Sequence, residues 1–583
     1  MQVPRVCLVV PPFKAGPEGL LPPLGLLSIA ATLQARAVPT VVVDLALSYN
    51  LRQLPPLELA EACACEILKS TPQIVGLTTL SVSLPVALTI ADSLKKRDPG
   101  LLVVLGGPGI HGCAHLVLER FACVDCIVTG EGESAMLEIV NQYPIGKATL
   151  APAGTMIRSG VQVMNGGTRL PEDLSVLPSP AFDLVPPPGA YARCSPHPVR
   201  RINIELARGC PFNCSFCSSS AFWNRRRRTF PVEKVLALAK DLRKRYQCEH
   251  FYVTDDNFTV SHSFARRFVQ GMKAAEVGTW DARCRMDLVT PLLLREMAEA
   301  GCKYILYGVE SHNETELNCF NKKISRVQQQ NAILWTLQAG ITPVLSYILG
   351  GPDQTESTCD STMLETNMLT LLHPEVVCHF HNLSVLPGTE LFNRLKDRLS
   401  NRASTSFTSL ALTDYFEGVD TLIDHNPDIF SSFFEAPGLV EPKLLIRVSR
   451  WLPALLESCP YTLRLLRLQY PSYLSIFRLI NREVFQSREW ENSISEALAC
   501  FISRHFRSNR LLIEMHRFEQ ILNAALSSPI GWRREATFSH DLAAIRQQLR
   551  TGSDVVATST DRHQVVVEHT PEGLKVTRRL SPR

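Results

Sequence analysis

Over the first 142 residues, short apolar runs alternate with longer stretches in which apolar residues recur at helical spacing. The apolar runs have the length of strands and lie within residues 3–12, 39–45, 72–83, 100–109 and 124–133. Helical spacing is found in "GLLSIAATLQAR", "LPVALTIADSLKKR" and "HGCAHLVLERF". Apolar strands separated by helices predict a parallel sheet that is covered on both faces.

Small and polar residues gather just past the ends of these predicted strands. They are Thr78, Thr79, Ser81, Ser83, Gly106, Gly107, Gly109, Gly130 and Gly132. Ligands of such sheets bind at this carboxyl edge, and glycine lets the backbone lie close to a flat or phosphate-bearing ligand. No G-x-G-x-x-G follows the first strand, which argues against an ordinary NAD site. Three such loops on one edge favour a ligand over simple tight turns.

A second series of strands and helices begins after a proline-rich stretch. Residues 145–195 predict an ordered linker. Predicted strands then lie in "RINIELARG", "HFYVTDDNF", "TWDARCRMD", "CKYILYGVES", "ITPVLSYILGG" and "EVVCHFHNLSVLPG". Six strands of this kind predict a partial (β/α) barrel over residues 196–395, with its chemistry at the carboxyl ends of the strands.

Three cysteines crowd into the loop after the first strand of this barrel. Cys210, Cys214 and Cys217 lie in "CPFNCSFC", whereas a zinc site usually offers four cysteine or histidine ligands. Thiolates suit an iron–sulfur cluster, and three of them on a four-iron cluster leave one iron open to a ligand from outside the protein. Cys123 and Cys126 form another close pair, but they flank a strand, where buried thiols are expected.

The last third of the chain is predicted to be mainly helical. Apolar residues recur at helical spacing in "EPKLLIRVSRWLPALLESC" and "YTLRLLRLQYPSYLSIFRLI". The final segment, "DRHQVVVEHTPEGLKVTRRL", predicts a hairpin that turns at "PEG". No catalytic motif is found in residues 396–583.

Composition excludes several classes of protein. Of the 583 residues, 45% are hydrophobic and 20% are charged, as in ordinary globular proteins of several domains. The net charge of +4, from 60 basic and 56 acidic residues, does not suggest a nucleic-acid partner. The first residues lack a signal-peptide pattern, and no apolar run is long enough for a membrane span. We therefore expect a cytoplasmic protein whose 18 cysteines are mostly free thiols.

The cysteine spacing and the loops "VVLGGP" and "GEGE" resemble the cobalamin-dependent radical S-adenosylmethionine (SAM) enzymes. The resemblance covers about residues 3–395. It implies an α/β chain with a Rossmann-like, flavodoxin-like cobalamin-binding domain at residues 1–144 and a partial (β/α)6 radical SAM barrel at 196–395. The linker at 145–195 joins them, and the helical region at 396–583 is then expected to lie on the substrate side.

The resemblance also implies which residues hold the cobalamin. They are Thr78, Leu80, Ser81, Ser83, Gly106, Gly107, Pro108, Gly130, Glu131, Gly132 and Glu133. Related cobalamin domains carry a cobalt-binding histidine in the loop after the first strand, where this chain has "PPFKAGPEGLLPP". We therefore expect cobalt without a protein imidazole and with the loop around Leu80 facing it from below.

In the barrel, the resemblance assigns the four-iron four-sulfur cluster to Cys210, Cys214 and Cys217, with S-adenosylmethionine on the open iron. Further S-adenosylmethionine contacts are expected from strand-end residues, namely Asn257, Arg283, Arg285, Asp287, Glu310 and Ser346. Asp255, Asp256 and Glu310 are the predicted catalytic acids. Each of these strand-end residues could equally serve as a structural ion pair or a cap.

The resemblance implies a methyltransferase that moves a methyl group from S-adenosylmethionine through cobalamin to an unactivated carbon. The acceptor is a natural product, a peptide or another small molecule. Such a carbon cannot be deprotonated near pH 7, so the family uses a 5′-deoxyadenosyl radical. One alternative is a cyclase or ring-rearranging enzyme with the same cofactors. Another is a non-radical methylation of an sp2 carbon, because the layout is similar to that of a tryptophan methyltransferase of the thiostrepton pathway. A non-catalytic cobalamin sensor is disfavoured by the intact cysteines. We expect a monomer that receives electrons from a flavodoxin or ferredoxin.

Overall fold

The structure is a computed structural model that describes residues 3–16, 19–55, 58–143, 151–160, 162–195, 199–402, 408–484, 494–552, 555 and 563–580. The chain divides into two compact units. The first consists of Met1–Gly308, Leu317–Thr342 and Leu383–Pro437. The second consists of Val309–Glu316, Pro343–Asn382 and Gly438–Arg583.

The strands, in chain order, are β1 Val6–Val10, β2 Thr40–Asp44, β3 Ile74–Thr78, β4 Leu102–Gly106, β5 Cys126–Val128, β6 Thr155–Ser159, β7 Gln162–Asn165, β8 Arg201–Ile204, β9 Ala207–Arg208, β10 Arg228–Thr229, β11 His250–Val253, β12 Thr279–Cys284, β13 Cys302–Glu310, β14 Thr342–Leu349, β15 Val377–Asn382, β16 Arg533–Phe538, β17 His563–Thr570 and β18 Gly573–Leu580.

The helices are α1 Leu24–Gln34, α2 Leu45–Asn50, α3 Leu59–Leu68, α4 Leu84–Arg97, α5 Ala114–Arg120, α6 Glu133–Gln142, α7 Pro188–Ala192, α8 Ser218–Phe222, α9 Val232–Tyr246, α10 His262–Ala275, α11 Pro291–Glu299, α12 Glu314–Cys319, α13 Arg326–Gln338, α14 Glu356–Leu372, α15 Glu390–Leu395, α16 Val419–Asp424, α17 Pro442–Ser458, α18 Pro460–Gln469, α19 Tyr473–Val484, α20 Ile494–His505, α21 Arg510–Leu526 and α22 Leu542–Thr551.

The first sheet of the first unit has the strand order β2-β1-β3-β4-β5-β6-β7. Strands β1 to β5 are parallel, as predicted, while β6 and β7 are added antiparallel at one edge. Both added strands lie in the segment predicted to be a linker. They form because Thr155 and Ile157 are buried in alternation along β6, a pattern that the many prolines of this segment obscure.

Two hydrophobic clusters cover the two faces of this sheet, as expected for parallel strands. Cys7 and Val9 of β1 belong to one cluster, whereas Leu8 and Val10 belong to the other. The cluster around Cys7 also contains buried residues from positions 411–433, including those of α16. This stretch therefore packs in the first unit, although the sequence groups it with the helical last third.

All six predicted barrel strands are present. In the first unit, β8, β11, β12 and β13 are parallel neighbours, with Arg201 opposite His250 and Phe251 opposite Trp280. In the second unit, β14 and β15 pair in parallel, with Ser346 opposite His379. Parallel pairing brings the carboxyl ends of neighbouring strands to one edge, which is where the polar strand-end residues occur.

The remainder of the second unit is mainly helical, with a three-stranded antiparallel sheet in the order β16-β17-β18. The predicted hairpin is β17–β18, with Thr570 opposite Gly573 across the turn. The predicted helical run at 461–480 is interrupted before Tyr473, where Pro471 ends the regular hydrogen bonding between α18 and α19. Within the described residues, none of the helices combines the length and the apolar character that a bilayer crossing requires.

Candidate cofactor site

The cysteine loop follows β8 and β9 in the first unit. Gly209 precedes the first cysteine with φ +90°, and a Cβ there would lie 2.0 Å from the carbonyl oxygen of Arg226, so only glycine fits. The loop is held from the other side as well, because the Ser215 hydroxyl donates to the Cys319 carbonyl (3.0 Å) and the Asn321 amide donates to the Asn213 carbonyl (2.8 Å). These contacts fix the loop before any metal binds.

Cys210, Cys214 and Cys217 are all partly exposed. Burial raises the pKa of Cys210 and raises that of Cys217 to about 11, and the nearby charges of Cys214 and Asp256 add to this effect. A raised pKa favours the protonated thiol, and a bound metal reverses this preference, because a coordinating thiol is deprotonated outright. Among the described residues, no three His, Cys, Asp or Glu side chains converge as a single ion would require. A four-iron cluster makes no such demand, since each thiolate binds a different iron.

Cys123 and Cys126 differ from this loop. Burial raises the pKa of each to about 12, and Cys126 lies on β5 within a hydrophobic cluster. Cys126 is buried, as the sequence predicts, whereas Cys123 is partly exposed.

Asp255, a predicted catalytic acid, is almost fully buried and braces the start of the cysteine loop. It accepts hydrogen bonds from the backbone N–H groups of Leu206 (3.0 Å) and Ala207 (2.9 Å), and it pairs with Arg227 at 3.4 Å. Burial raises the pKa of Asp255 to about 6, although Arg227 and the two N–H groups oppose this. These contacts connect the end of β11 to the strand that leads to Cys210.

The next two residues are placed differently. Asp256 is exposed, and its negative charge helps to raise the pKa of Cys210 and Cys217. Asn257 is buried, and its amide nitrogen Nδ2 has no hydrogen-bond partner. A buried donor without a partner is costly, so this amide is suited to a polar ligand.

Arg283, Arg285 and Asp287 follow β12. Arg285 lies over the ring of Phe212 at 3.8 Å, and its Nη1 is 3.8 Å from the Sγ atom of Cys214. Asp287 accepts from Arg285 at 3.0 Å. Arg283 instead packs over the ring of Tyr252 and donates to its hydroxyl. Arg285 is therefore the member of this group that reaches the cysteine loop.

Glu310 and Ser346 belong to the second unit. Glu310 is buried at the end of β13, and its φ of +64° is a conformation that side chains other than glycine rarely adopt. Such strain is concentrated at functional sites. Ser346 lies in the middle of β14 and is half-buried.

A cavity opens at the glycine-rich edge of the first sheet, with about 830 Å³ of empty space, a volume that here and below includes open solvent. The predicted residues on its wall are Thr78, Gly106, Gly107, Pro108, Gly130, Glu131, Gly132 and Glu133. Phe222 and Trp223, at the end of α8, line the same cavity. Because α8 begins directly after Cys217, the segment that follows the cysteine loop contributes to the same wall as the glycine loops.

A second cavity of about 670 Å³ lies at the same edge and is lined by Thr78, Leu80 and Ser83, whereas Ser81 lines neither cavity. Asp44, at the end of β2, also lines it. Burial raises the pKa of Asp44, which accepts a hydrogen bond from the Tyr191 hydroxyl at 2.9 Å. The sequence analysis missed Asp44, although a polar residue directly after a buried strand is a signal for this edge.

The two acidic residues of the "GEGE" loop do not face the cavity as free carboxylates. Both bind Arg208 at 2.7 Å, Glu131 through Nη1 and Glu133 through Nη2. Glu205 binds the same guanidinium at 3.1 Å, and Arg228 adds a contact to Glu131 at 2.9 Å. Sequence reasoning missed Arg208 and Glu205.

The surroundings set the charge of these carboxyl groups. Burial disfavours ionisation of Glu133, but the charge and hydrogen bonds of Arg208 outweigh it, so the pKa of Glu133 lies below its usual value. For Glu205 burial prevails and raises the pKa to about 7, although Arg208 opposes it. Glu205 also lines the larger cavity.

Two family descriptions match the chain. Residues 13–140 match the B12 binding domain, and residues 204–365 match the radical SAM superfamily. The chain is a radical SAM enzyme with a cobalamin-binding domain. The two matches contain the glycine loops and the cysteine loop respectively, and they confirm the predicted family, fold class and cofactor set.

Curated relatives of this radical SAM enzyme include methyltransferases and cyclases. An uncharacterized methyltransferase of Pyrococcus horikoshii is 27% identical over 398 residues, which is 67% of this chain and 83% of the relative. The anaerobic magnesium-protoporphyrin IX monomethyl ester cyclase of Rubrivivax gelatinosus is 26% identical over 416 residues, covering 68% of this chain and 70% of the relative.

Two solved structures have a similar fold. The radical S-adenosylmethionine methyltransferase TsrM from Kitasatospora setae, with tryptophan and a SAM analogue bound, superposes with a TM-score of 0.57 at 17% identity, covering 68% of this chain and 76% of TsrM. The cobalamin-dependent S-adenosylmethionine radical enzyme OxsB superposes with a TM-score of 0.56 at 15% identity, covering 94% of this chain and 81% of OxsB.

The described residues fit the three cofactors of the radical SAM enzymes with cobalamin. Three thiols on a braced loop are available for the cluster, and the Asn257 amide is an unused donor near the end of β11. The larger cavity has glycines where the backbone must approach a ligand, and no histidine occurs among the described residues that line either cavity. His111 packs edge-on against Phe222, and His115 pairs with Glu119 on α5. The roles of the individual residues remain predictions.

We predict that Cys210, Cys214 and Cys217 hold the cluster. Anaerobic reconstitution with iron and sulfide should give about four irons per chain and charge-transfer absorption. The triple Cys→Ala variant should lose both, whereas Cys123→Ala should lose neither, because that likewise partly exposed thiol lies outside the loop. Iron retained by the triple variant would contradict the assignment.

We predict that cobalamin binds without a histidine below the cobalt. The electron paramagnetic resonance spectrum of the Co(II) form should then be the same in unlabelled protein and in protein labelled with 15N-histidine. A triplet splitting that becomes a doublet on this labelling would show a histidine ligand, since the base of cobalamin itself stays unlabelled, and His111→Ala and His115→Ala variants would then identify it.

We predict that bulk at Gly130 excludes cobalamin. A Cβ at Gly130 has no atom within 4 Å, so a side chain there enters the cavity without displacing protein. Gly107 is a poorer probe, because its φ is +90° and its Cβ would lie 2.7 Å from the Thr78 hydroxyl. Gly130→Phe should weaken hydroxocobalamin binding about tenfold or more, as overpacking does.

Equilibrium dialysis measures this affinity, and Gly189→Phe is the matched control. Gly189 is exposed on α7 and also has no atom within 4 Å of its Cβ. Unchanged affinity in Gly130→Phe, or an equal loss in both variants, would mean that the cavity does not bind cobalamin.

Proposed function

We propose that this chain is a cobalamin-dependent radical SAM methyltransferase that transfers a methyl group from S-adenosylmethionine to an unactivated carbon. The acceptor is a small molecule, which includes natural products and short peptides. The observation that carries the proposal is the shared wall of the larger cavity, to which both the glycine loops and the helix after Cys217 contribute.

Methyl transfer between two cofactors requires them to be close, because reactive centres must meet within van der Waals distance. Phe222 and Trp223 stand beside Gly107 and Gly130 in the wall, and α8 connects them directly to Cys217. This arrangement supports a methyl transfer at the cavity that residues of the B12-binding match and residues of the radical SAM match line together.

The residues then take the following roles. Cys210, Cys214 and Cys217 hold the cluster, and Asn257 and Asp256 are donor and acceptor for the amino acid end of S-adenosylmethionine. Gly106, Gly107, Gly130 and Gly132 would let the backbone approach cobalamin, and Leu80, which lines the second cavity, is the proposed residue of its loop on the cobalt side. When bound, the cluster supplies an electron and the cobalamin carries the methyl group.

Apolar walls contribute by excluding water. The larger cavity is lined by leucine, valine and methionine side chains from β1, β3, β4, β5 and α6, together with Phe222 and Trp223. A dry cavity protects reactive species from hydrolysis and from stray proton donors. Glu205, with its pKa raised to about 7, is the titratable group of this wall that can carry or release a proton near neutral pH.

A cyclase is the second candidate, because cyclases occur among the relatives at nearly the same identity as methyltransferases. A non-radical methylation of an sp2 carbon is the third. We propose further that the protein is a monomer and that a flavodoxin or ferredoxin reduces the cluster.

The fate of the labelled methyl group separates these candidates. With trideuteromethyl S-adenosylmethionine and candidate acceptors, the proposal predicts a product that gains one labelled methyl group and the formation of 5′-deoxyadenosine. A labelled product without 5′-deoxyadenosine favours the non-radical route. A product that forms a new ring and gains no label, detected by mass spectrometry, would identify a cyclase.

A further inference from the structure

Arg208 uses its whole guanidinium on carboxylates. Nη1 binds Glu131, Nη2 binds Glu133 and Nε binds Glu205, and the Arg208 side chain is only 5% exposed. The Ser28 hydroxyl donates to Glu133 Oε1, the oxygen that Arg208 also binds, at 2.6 Å. Each contact is within charge-assisted hydrogen-bond distance or close to it.

Arg208 and its partners Glu131 and Glu133 come from two separate segments of the chain, and both segments line the cavity. Glu131 belongs to the loop between β5 and α6, and Glu133 is the first residue of α6; they flank Gly132. Arg208 is the last residue of β9, two positions before Cys210. One guanidinium therefore joins the loop assigned to cobalamin with the loop assigned to the cluster.

We propose that Arg208 is a positioning residue that couples the cobalamin loop to the cysteine loop through Glu131 and Glu133. This inference rests on the proposed cofactor sites. The coupling is strong because burying charge is costly unless it is paired, so neither loop can move away without leaving an uncompensated charge. Lysine cannot replace Arg208, since a single ammonium lacks the rigid fork that reaches three carboxylates.

The test is a double-mutant cycle on hydroxocobalamin affinity. Arg208→Lys keeps the charge and loses the fork, and Glu133→Gln keeps the shape and loses the charge. Each single variant should weaken binding about tenfold, within the range of couplings carried by ion-pair networks. The double variant should be no weaker than the worse single variant, because the interaction is already lost.

The second readout changes a residue of the cobalamin-binding match and measures the cluster assigned to the cysteine loop. Glu133→Gln should alter the electron paramagnetic resonance spectrum of the reduced cluster, although Glu133 lies in the cobalamin-binding match and the cysteines are intact. Glu138→Gln is the matched control. Glu138 is on the same helix and pairs with Arg169 at 2.6 Å instead of with Arg208. It should leave both the affinity and the spectrum unchanged.

Iron content and thermal denaturation show which variants are folded. If Arg208→Lys does not fold, Glu131→Gln and Glu133→Gln form the cycle in its place. Effects that multiply in the double variant, or an unchanged cluster spectrum in Glu133→Gln, overturn the coupling. Failure of the unmutated protein to bind cobalamin or iron would instead refute the proposed function.

Discussion

The first unit depends on a buried set of charges that must be satisfied together. Arg208, with a side chain 5% exposed, lies among three carboxylates, and Arg228 shares one of them. An ion pair in such a place adds little net stability compared with apolar packing, yet breaking it is costly, so it specifies geometry more than it stabilises. Here the geometry specified is the approach of the "GEGE" loop to the strand before the cysteines.

A second buried carboxylate extends this bracing. Asp255 accepts hydrogen bonds from the backbone N–H groups of Leu206 and Ala207, the two residues just before Arg208. It also forms an ion pair with Arg227. The strand that leads to Cys210 is thus fixed by the end of β11 on one side and by the cobalamin-binding match on the other. This arrangement gives the start of the cysteine loop a defined position.

Features encoded by short patterns were predictable from the sequence. Apolar runs identified β1 to β5 and the six barrel strands. The spacing of Cys210, Cys214 and Cys217 predicted the radical SAM family, while their role as cluster ligands stays a prediction. Features that depend on distant partners were not. Nothing near Arg208 in the sequence indicates that its partners lie at Glu131 and Glu133, and β6 and β7 were hidden in a segment whose prolines suggested a linker.

Among the site residues too, those marked by short patterns were predictable and those defined by distant partners were not. The glycines of the first sheet line the cavity as expected, because strand ends and small residues are visible in the sequence. Phe222 and Trp223 follow the cysteine motif closely in the sequence, but nothing in the sequence predicts their place in the cavity wall. Glu131 and Glu133 were assigned to the cofactor directly, whereas in the structure they bind Arg208.

The central claim is that cobalamin and the cluster occupy neighbouring sites in one unit. Pulsed electron paramagnetic resonance on the protein with Co(II) and reduced cluster tests it directly, since two nearby unpaired spins split each other's signals or shorten each other's relaxation. The account predicts such an interaction, and its loss in Gly130→Phe. Two independent signals in the fully loaded protein would contradict it.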